Sequence, residues 1–177
     1  MPDQSDLHIP KYSAAHVCAA AQITDETRKN WGTRKPAIIP PEDDDRENAG
    51  KGKAIRYSKR RVFQIVAVAK LVRMGIPVSR AASIALAFSD FGEATQAGIV
   101  REPGGLYAGN QNHLVSFGDR DVGFVIDQLT PDRLLWAAAN MGAKVEDGFV
   151  AVPLNALVAR VSVVLDAAVA PAHREAE

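Results

Sequence analysis

Residues 22–31 read Gln22-Ile23-Thr24-Asp25-Glu26-Thr27-Arg28-Lys29-Asn30-Trp31, a polar stretch that opens like a helix cap and closes on a tryptophan. Thr24 is a residue type that accepts a hydrogen bond from the first turn of a helix. Asp25 and Glu26 then place negative charge at the positive end of the helix dipole. The pattern predicts a helix over 25–31. Upstream, Ser13 is placed to cap a helix over 14–20, and only a few residues separate the two. A short helix, a tight turn and a second short helix form the outline of a helix-turn-helix.

Between Arg34 and Lys53 the chain changes character. Pro36, Pro40, Pro41, the acidic run Glu42-Asp43-Asp44-Asp45 and Gly50-Lys51-Gly52 mark a long loop. Residues 37–39 and 54–57 flank it and are expected to pair as the strands of a basic wing, with the acidic run as a solvated tip. Ser58 then opens a helix in which Val62, Phe63, Ile65, Val66, Val68, Ala69, Val72 and Met74 recur at helical spacing. Gly75 ends it, and Pro77 prevents its continuation. Ser79 is expected to cap a further helix running to about Phe88.

Residues 98–112 hold Pro103, Gly104, Gly105, Gly109, Asn110 and Asn112 and read as a linker, with 103–112 an exposed hinge. Beyond it, 113–117 and 123–126 read as a hairpin, 131–141 as a helix opened by Thr130-Pro131, and 148–152 as a third strand. The last helix carries Leu154, Leu157, Val158, Val161, Val164, Leu165 and Ala168 on an apolar face. The expected fold is α+β. A winged helix-turn-helix over 11–97, mostly α with a β wing, precedes the linker over 98–112 and a small C-terminal α+β domain over 113–170. So small a unit has more apolar surface than it readily hides, so Leu157, Val161, Val164 and Leu165 are expected to mediate self-association, an effector pocket or protein docking being the other roles open to this domain.

The 177 residues balance 21 Lys and Arg against 21 Asp and Glu, so net charge alone points to no partner. Its distribution does. Lys51, Lys53, Arg56, Lys59, Arg60 and Arg61 fall within eleven positions without an acid, whereas the chain from Gly98 onward holds six basic and ten acidic residues. That asymmetry suits a basic segment that meets a polyanion. The lone cysteine, Cys18, excludes an internal disulfide, fits a reducing compartment and is expected to be a small core residue. The opening MPDQSDLHIP has neither a basic nor an apolar signal region, and no run approaches a membrane span, so a cytoplasmic protein is expected.

The first 90 residues resemble the DNA-binding domain of the MerR family. Tyr12-Ser13-Ala14-Ala15-His16-Val17 stands where that family leads into its first helix, and Ile23 to Trp31 where it places its second. Ile55-Arg56-Tyr57-Ser58 resembles its wing exit, and Val68 to Ser79 its third helix and glycine turn. The match covers about half the chain and departs from the family pattern in three ways. Gln22 stands at the family's turn glycine, the wing is longer with an acidic tip, and a mixed β/α segment replaces the family's long coiled-coil helix. The C-terminal cysteines of metal-sensing members are absent. The resemblance implies binding of double-stranded DNA and gives no reason to expect metal or redox sensing.

Thr27, Arg28 and Asn30 are residue types that can reach base edges in a major groove, Arg pairing with guanine and Asn with adenine. The resemblance gives Lys29 the place of a phosphate-clamping arginine and Tyr57 that of a wing tyrosine, packing against the third helix being its other reading. Trp31 is expected to pack under the wing. Arg34, Lys35, Lys51, Lys53, Arg56, Lys59, Arg60 and Arg61 are the candidates to neutralise phosphates. Histidines 8, 16, 113 and 173 show no metal spacing. The pairs Asp119/Asp121 and Glu146/Asp147 read as turn residues, and Gly104 to Gly109 lacks the lysine of a phosphate loop. Neither an enzyme nor a cofactor or metal is expected. The reading is a dimeric transcriptional regulator with an undefined effector or protein partner. The alternative is a phage or mobile-element DNA-binding protein, excisionase-like or recognising a packaging site.

Overall fold

The structure, a computed structural model, describes residues 4–33, 38–39, 55–94, 98 and 100–169. Among them are six α-helices and a small three-stranded antiparallel sheet: α1 (Ala14–Ala21), α2 (Asp25–Thr33), α3 (Lys59–Arg73), α4 (Val78–Ser89), α5 (Pro131–Asn140) and α6 (Leu154–Val169). The strands are β1 (Glu93–Ala94), β2 (Val100–Arg101), β3 (His113–Phe117), β4 (Phe124–Ile126) and β5 (Phe149–Pro153). The fold class is α+β. No helix among the described residues is long and apolar enough to cross a membrane.

The helix starts follow local chemistry. Ser13 and His16 form a reciprocal capping box at α1, and Ser58 Oγ accepts the Arg61 N–H at α3. Thr130 caps α5, with Pro131 in its first turn. At α4 the cap differs from the expected Ser79. The helix starts at Val78 after Pro77, with no side-chain cap bond, because the proline geometry already sets the chain at its first turn.

α3 is the centre of the molecule. It is buried almost all round, from Val62 and Phe63 through Ala69 to Leu71, and α4, α1 and α6 pack around it. A helix without a wide polar face needs neighbours on every side, and here the C-terminal helix is one of them. Leu154, Leu157, Val161 and Leu165 are all buried in one continuous cluster with Tyr12, Val17 and Phe63. The expected oligomerisation stripe is therefore corrected. Leu157, Val161 and Leu165 face α1 and α3 of their own chain, and Val164 packs partly buried against the same core.

The sheet explains why the second half is not separate. Its order is β4-β3-β5, with Leu114 opposite Val125 and Val152. Successive residues point to opposite faces. Leu114, Val125 and Val152 enter the core shared with α3, while Val115, Phe117 and Ile126 enter a smaller one beneath α5. Gly123 allows the close approach to α4, since a Cβ there would stand 2.3 Å from the Ile84 carbonyl oxygen. A sheet covered on both faces has no free side on which to form an independent unit.

The linker expectation for 98–112 is also corrected. Arg101 is 1% exposed, and its guanidinium donates to the carbonyls of Ala87, Phe88 and Phe91 at 2.7, 3.0 and 2.7 Å, satisfying acceptors at the end of α4. Asn112 is equally buried. Its side chain accepts the Tyr107 N–H at 2.7 Å and donates to the Tyr107 and Asn110 carbonyls. Asn155 at the start of α6 binds the same turn through the Asn112 N–H at 2.6 Å. Glycine and proline here shape a packed turn rather than a hinge, because buried side chains satisfy its backbone.

Candidate nucleic-acid interface

The α1–α2 unit is joined by Gln22, Ile23 and Thr24. Gln22 adopts φ 54°, ψ 48°, and is the one non-glycine residue with positive φ among the described residues. Its N–H and that of Ile23 both return to the Cys18 carbonyl, closing α1. This left-handed conformation is the one that favours glycine at the close of a helix, and Gln22 holds it here. Thr24 Oγ1 then accepts the Thr27 N–H at 3.1 Å and starts α2.

α2 has two faces at helical spacing. Glu26, Lys29, Asn30 and Thr33 are exposed, whereas Thr27 and Arg28 are half-buried and Trp31 is buried in the core. The Trp31 carbonyl accepts the N–H groups of Ile38 and Ile39 at 2.9 and 3.3 Å. Those donors are thus turned away from the expected pairing with 54–57. Tyr57 instead pairs with Tyr12 in an antiparallel bridge, with N–H to carbonyl distances of 2.8 and 3.0 Å. Among the described residues, Ile38, Ile39 and Tyr57 thus bond to Trp31 and Tyr12 rather than to one another, and residues 37 and 54 lie outside the described residues. The rest of the stretch expected to form a wing, with Arg34, Lys35, Lys51, Lys53 and the acidic run 42–45, lies outside the described residues.

The candidate contact residues separate into two groups. Lys29 and Asn30 project outward from α2, Lys29 pairing with Asp25 at 2.8 Å while 65% of its side chain stays exposed. Arg56 is exposed as well. Arg28, by contrast, is engaged. Nε and Nη2 donate to Asp25 at 2.8 and 2.6 Å, and Nη1 donates to the Tyr57 hydroxyl at 2.7 Å. Tyr57 is buried, so its packing reading is the one the fold supplies. Lys59 and Arg61 are buried, and Arg61 donates to Gln64 Oε1. Arg60 Nη1 donates to Ser89 O and Asp90 Oδ1, both at 3.1 Å, at the end of α4. The phosphate role expected for Lys59, Arg60 and Arg61 is corrected. Lys59 and Arg61 are buried against the core, and Arg60 is half-buried with its Nη1 engaged at the end of α4.

Two features escaped sequence reading. Asp25, read only as a dipole partner, is the acceptor that orients Arg28, and its bonds to Lys29 and Arg28 hold its carboxyl below the ordinary carboxylate range. Cys18 is half-buried rather than enclosed, and burial pushes its thiol up while Arg28 nearby acts against that. No group of three or more His, Cys, Asp or Glu suited to a metal occurs among the described residues. Comparison with family models, with curated proteins and with solved structures gives no match to this chain. The likeness to MerR proteins therefore rests on the residues quoted for it.

Proposed function

We propose that this chain binds double-stranded DNA through α2 and acts as a transcriptional regulator. The observation that carries the reading is the α1–α2 unit. A left-handed turn joins two short helices, the second anchored by Trp31 with Lys29 and Asn30 left facing solvent. A helix held from beneath, with an amide and a cation outward, is suited to a major groove. In this reading Asn30 reads a base and Lys29 and Arg56 meet phosphates, with Arg34, Lys35, Lys51 and Lys53 as further phosphate contacts. Arg28 orients α2 against Tyr57. A dimer on a pseudo-palindromic site would use a face other than the α6 stripe.

Selection of bound sequences from a random duplex pool, followed by titration of the preferred duplex, tests this. Asn30→Ala should cost about 1–3 kcal/mol on the selected site and little on random DNA, while Arg56→Ala should weaken both and lower the salt slope by about one. Absence of duplex binding by the full chain at low salt would remove the proposal.

A further inference from the structure

We propose that the cleft between α1, α3 and α6 is a binding site for a phosphate group, held by Lys70, Arg73 and Arg160. The cleft has a volume of about 280 Å³, and those three cations line it together with Gln22, Val152 and Leu157. Among the described residues, no carboxylate lines it. The elements that build it are as poor in acids as their sequences read. α1, α3 and β5 contain neither Asp nor Glu, and the sole acid of α6, Asp166, lies six residues beyond Arg160 and acts on Tyr12.

Two of the cations are held in place. Arg160 Nη1 donates to the Ala20 carbonyl at 3.0 Å, and Arg73 Nη2 donates to the Ala21 carbonyl at 3.3 Å, with Nη1 near Gln22 Oε1 at 3.4 Å. These bonds bring a residue of α3 and one of α6 to successive carbonyls at the end of α1. Capping α1 engages part of each guanidinium, and both Arg73 and Arg160 line the cleft. It accounts for nothing at Lys70, which is exposed one turn before Arg73 on α3. Two guanidinium forks fixed at the end of α1 and an exposed ammonium, with no carboxylate among the described lining residues, match the donor set that a phosphate takes. Two sources carry that group, a small phosphate-bearing molecule and the backbone of a nucleic acid. The inference goes beyond the DNA reading of α2, because the cleft is built by α1, α3 and α6.

Titration calorimetry of the full chain with inorganic pyrophosphate at low ionic strength, beside anisotropy of a labelled duplex, tests both sources. Lys70→Ala should lose about tenfold in affinity for the probe that binds, and Lys70→Glu more. The Lys70→Ala/Arg160→Gln variant should abolish that binding, its folding checked by the urea midpoint. Pyrophosphate binding lost with these residues and no duplex binding assigns a free phosphate, and removes the DNA reading alone. Duplex binding weakened by the Lys70 variants, with pyrophosphate silent or competing, assigns the backbone. Unchanged binding of both probes by the Lys70 variants, or binding of neither by the native chain, overturns the site.

Discussion

Arg28 commits its donors inside the protein, two to Asp25 and one to the hydroxyl of Tyr57. Its type and helical position are legible in the sequence; its partner is not, because Tyr57 lies 29 residues away and only the Tyr12 bridge brings it alongside. A double-mutant cycle of Arg28→Ala and Tyr57→Phe should give a coupling of about 1 kcal/mol in urea unfolding, the scale of one charge-assisted bond at a partly exposed site. Zero coupling would return Arg28 to the pool of free cations. The Asp25 carboxyl is depressed in the folded chain by Lys29 and Arg28. Its contribution is therefore present above the unfolded carboxylate pKa of about 3.9 and disappears as pH falls through the lower folded value. Asp25→Asn should flatten that acid limb and leave stability at neutral pH less sensitive to salt.

At the scale of the element, the turn between α1 and α2 holds Gln22 where a side chain is disfavoured. Gln22→Gly should remove a left-handed penalty of about 1–2 kcal/mol and reintroduce part of it as chain entropy, for a net gain of about 0.5–1 kcal/mol by thermal or urea unfolding. A loss would mean that the bond to Arg73 outweighs the backbone term. α6 gives the opposite lesson. Its apolar stripe is plain in the sequence, and an apolar stripe does not say which surface covers it. Val161 is fully buried against the chain's own core. Val161→Glu should lower stability by several kcal/mol, a large share of the roughly 5–15 kcal/mol of an ordinary domain, and Leu165→Ala by about 2–5 kcal/mol. Sedimentation checks the assignment: a stably folded Val161→Glu monomer derived from a native dimer would place the stripe at an interface after all.

For the whole molecule, one core joins residues from Leu7 to Leu165, and the sheet is buried on both faces. The chain should therefore unfold as one unit. Trp31 and Trp136 stand in its two halves, so single-tryptophan variants made by Trp136→Phe and Trp31→Phe should report the same urea midpoint. Limited proteolysis should spare 103–112, where Tyr107 and Asn112 are buried. Separate midpoints, or a stable fragment ending near 97, would restore two domains. The helix spans, the caps Ser13, Thr24, Ser58 and Thr130, the alternation of the strands and the α+β class are legible in the sequence, because they depend on neighbours within a few residues; the start of α4 is not, since Pro77 rather than Ser79 sets it. What covers α6, the packing of the glycine-rich stretch by Arg101 and Asn112, and the exposure of Arg56 beside the burial of Lys59 and Arg61 come from the tertiary fold. Those outcomes depend on partners far along the chain: a buried carbonyl at the end of α4 fixes Arg101, and the core around α3 draws in Lys59 and Arg61, whatever their charge suggests when read in line.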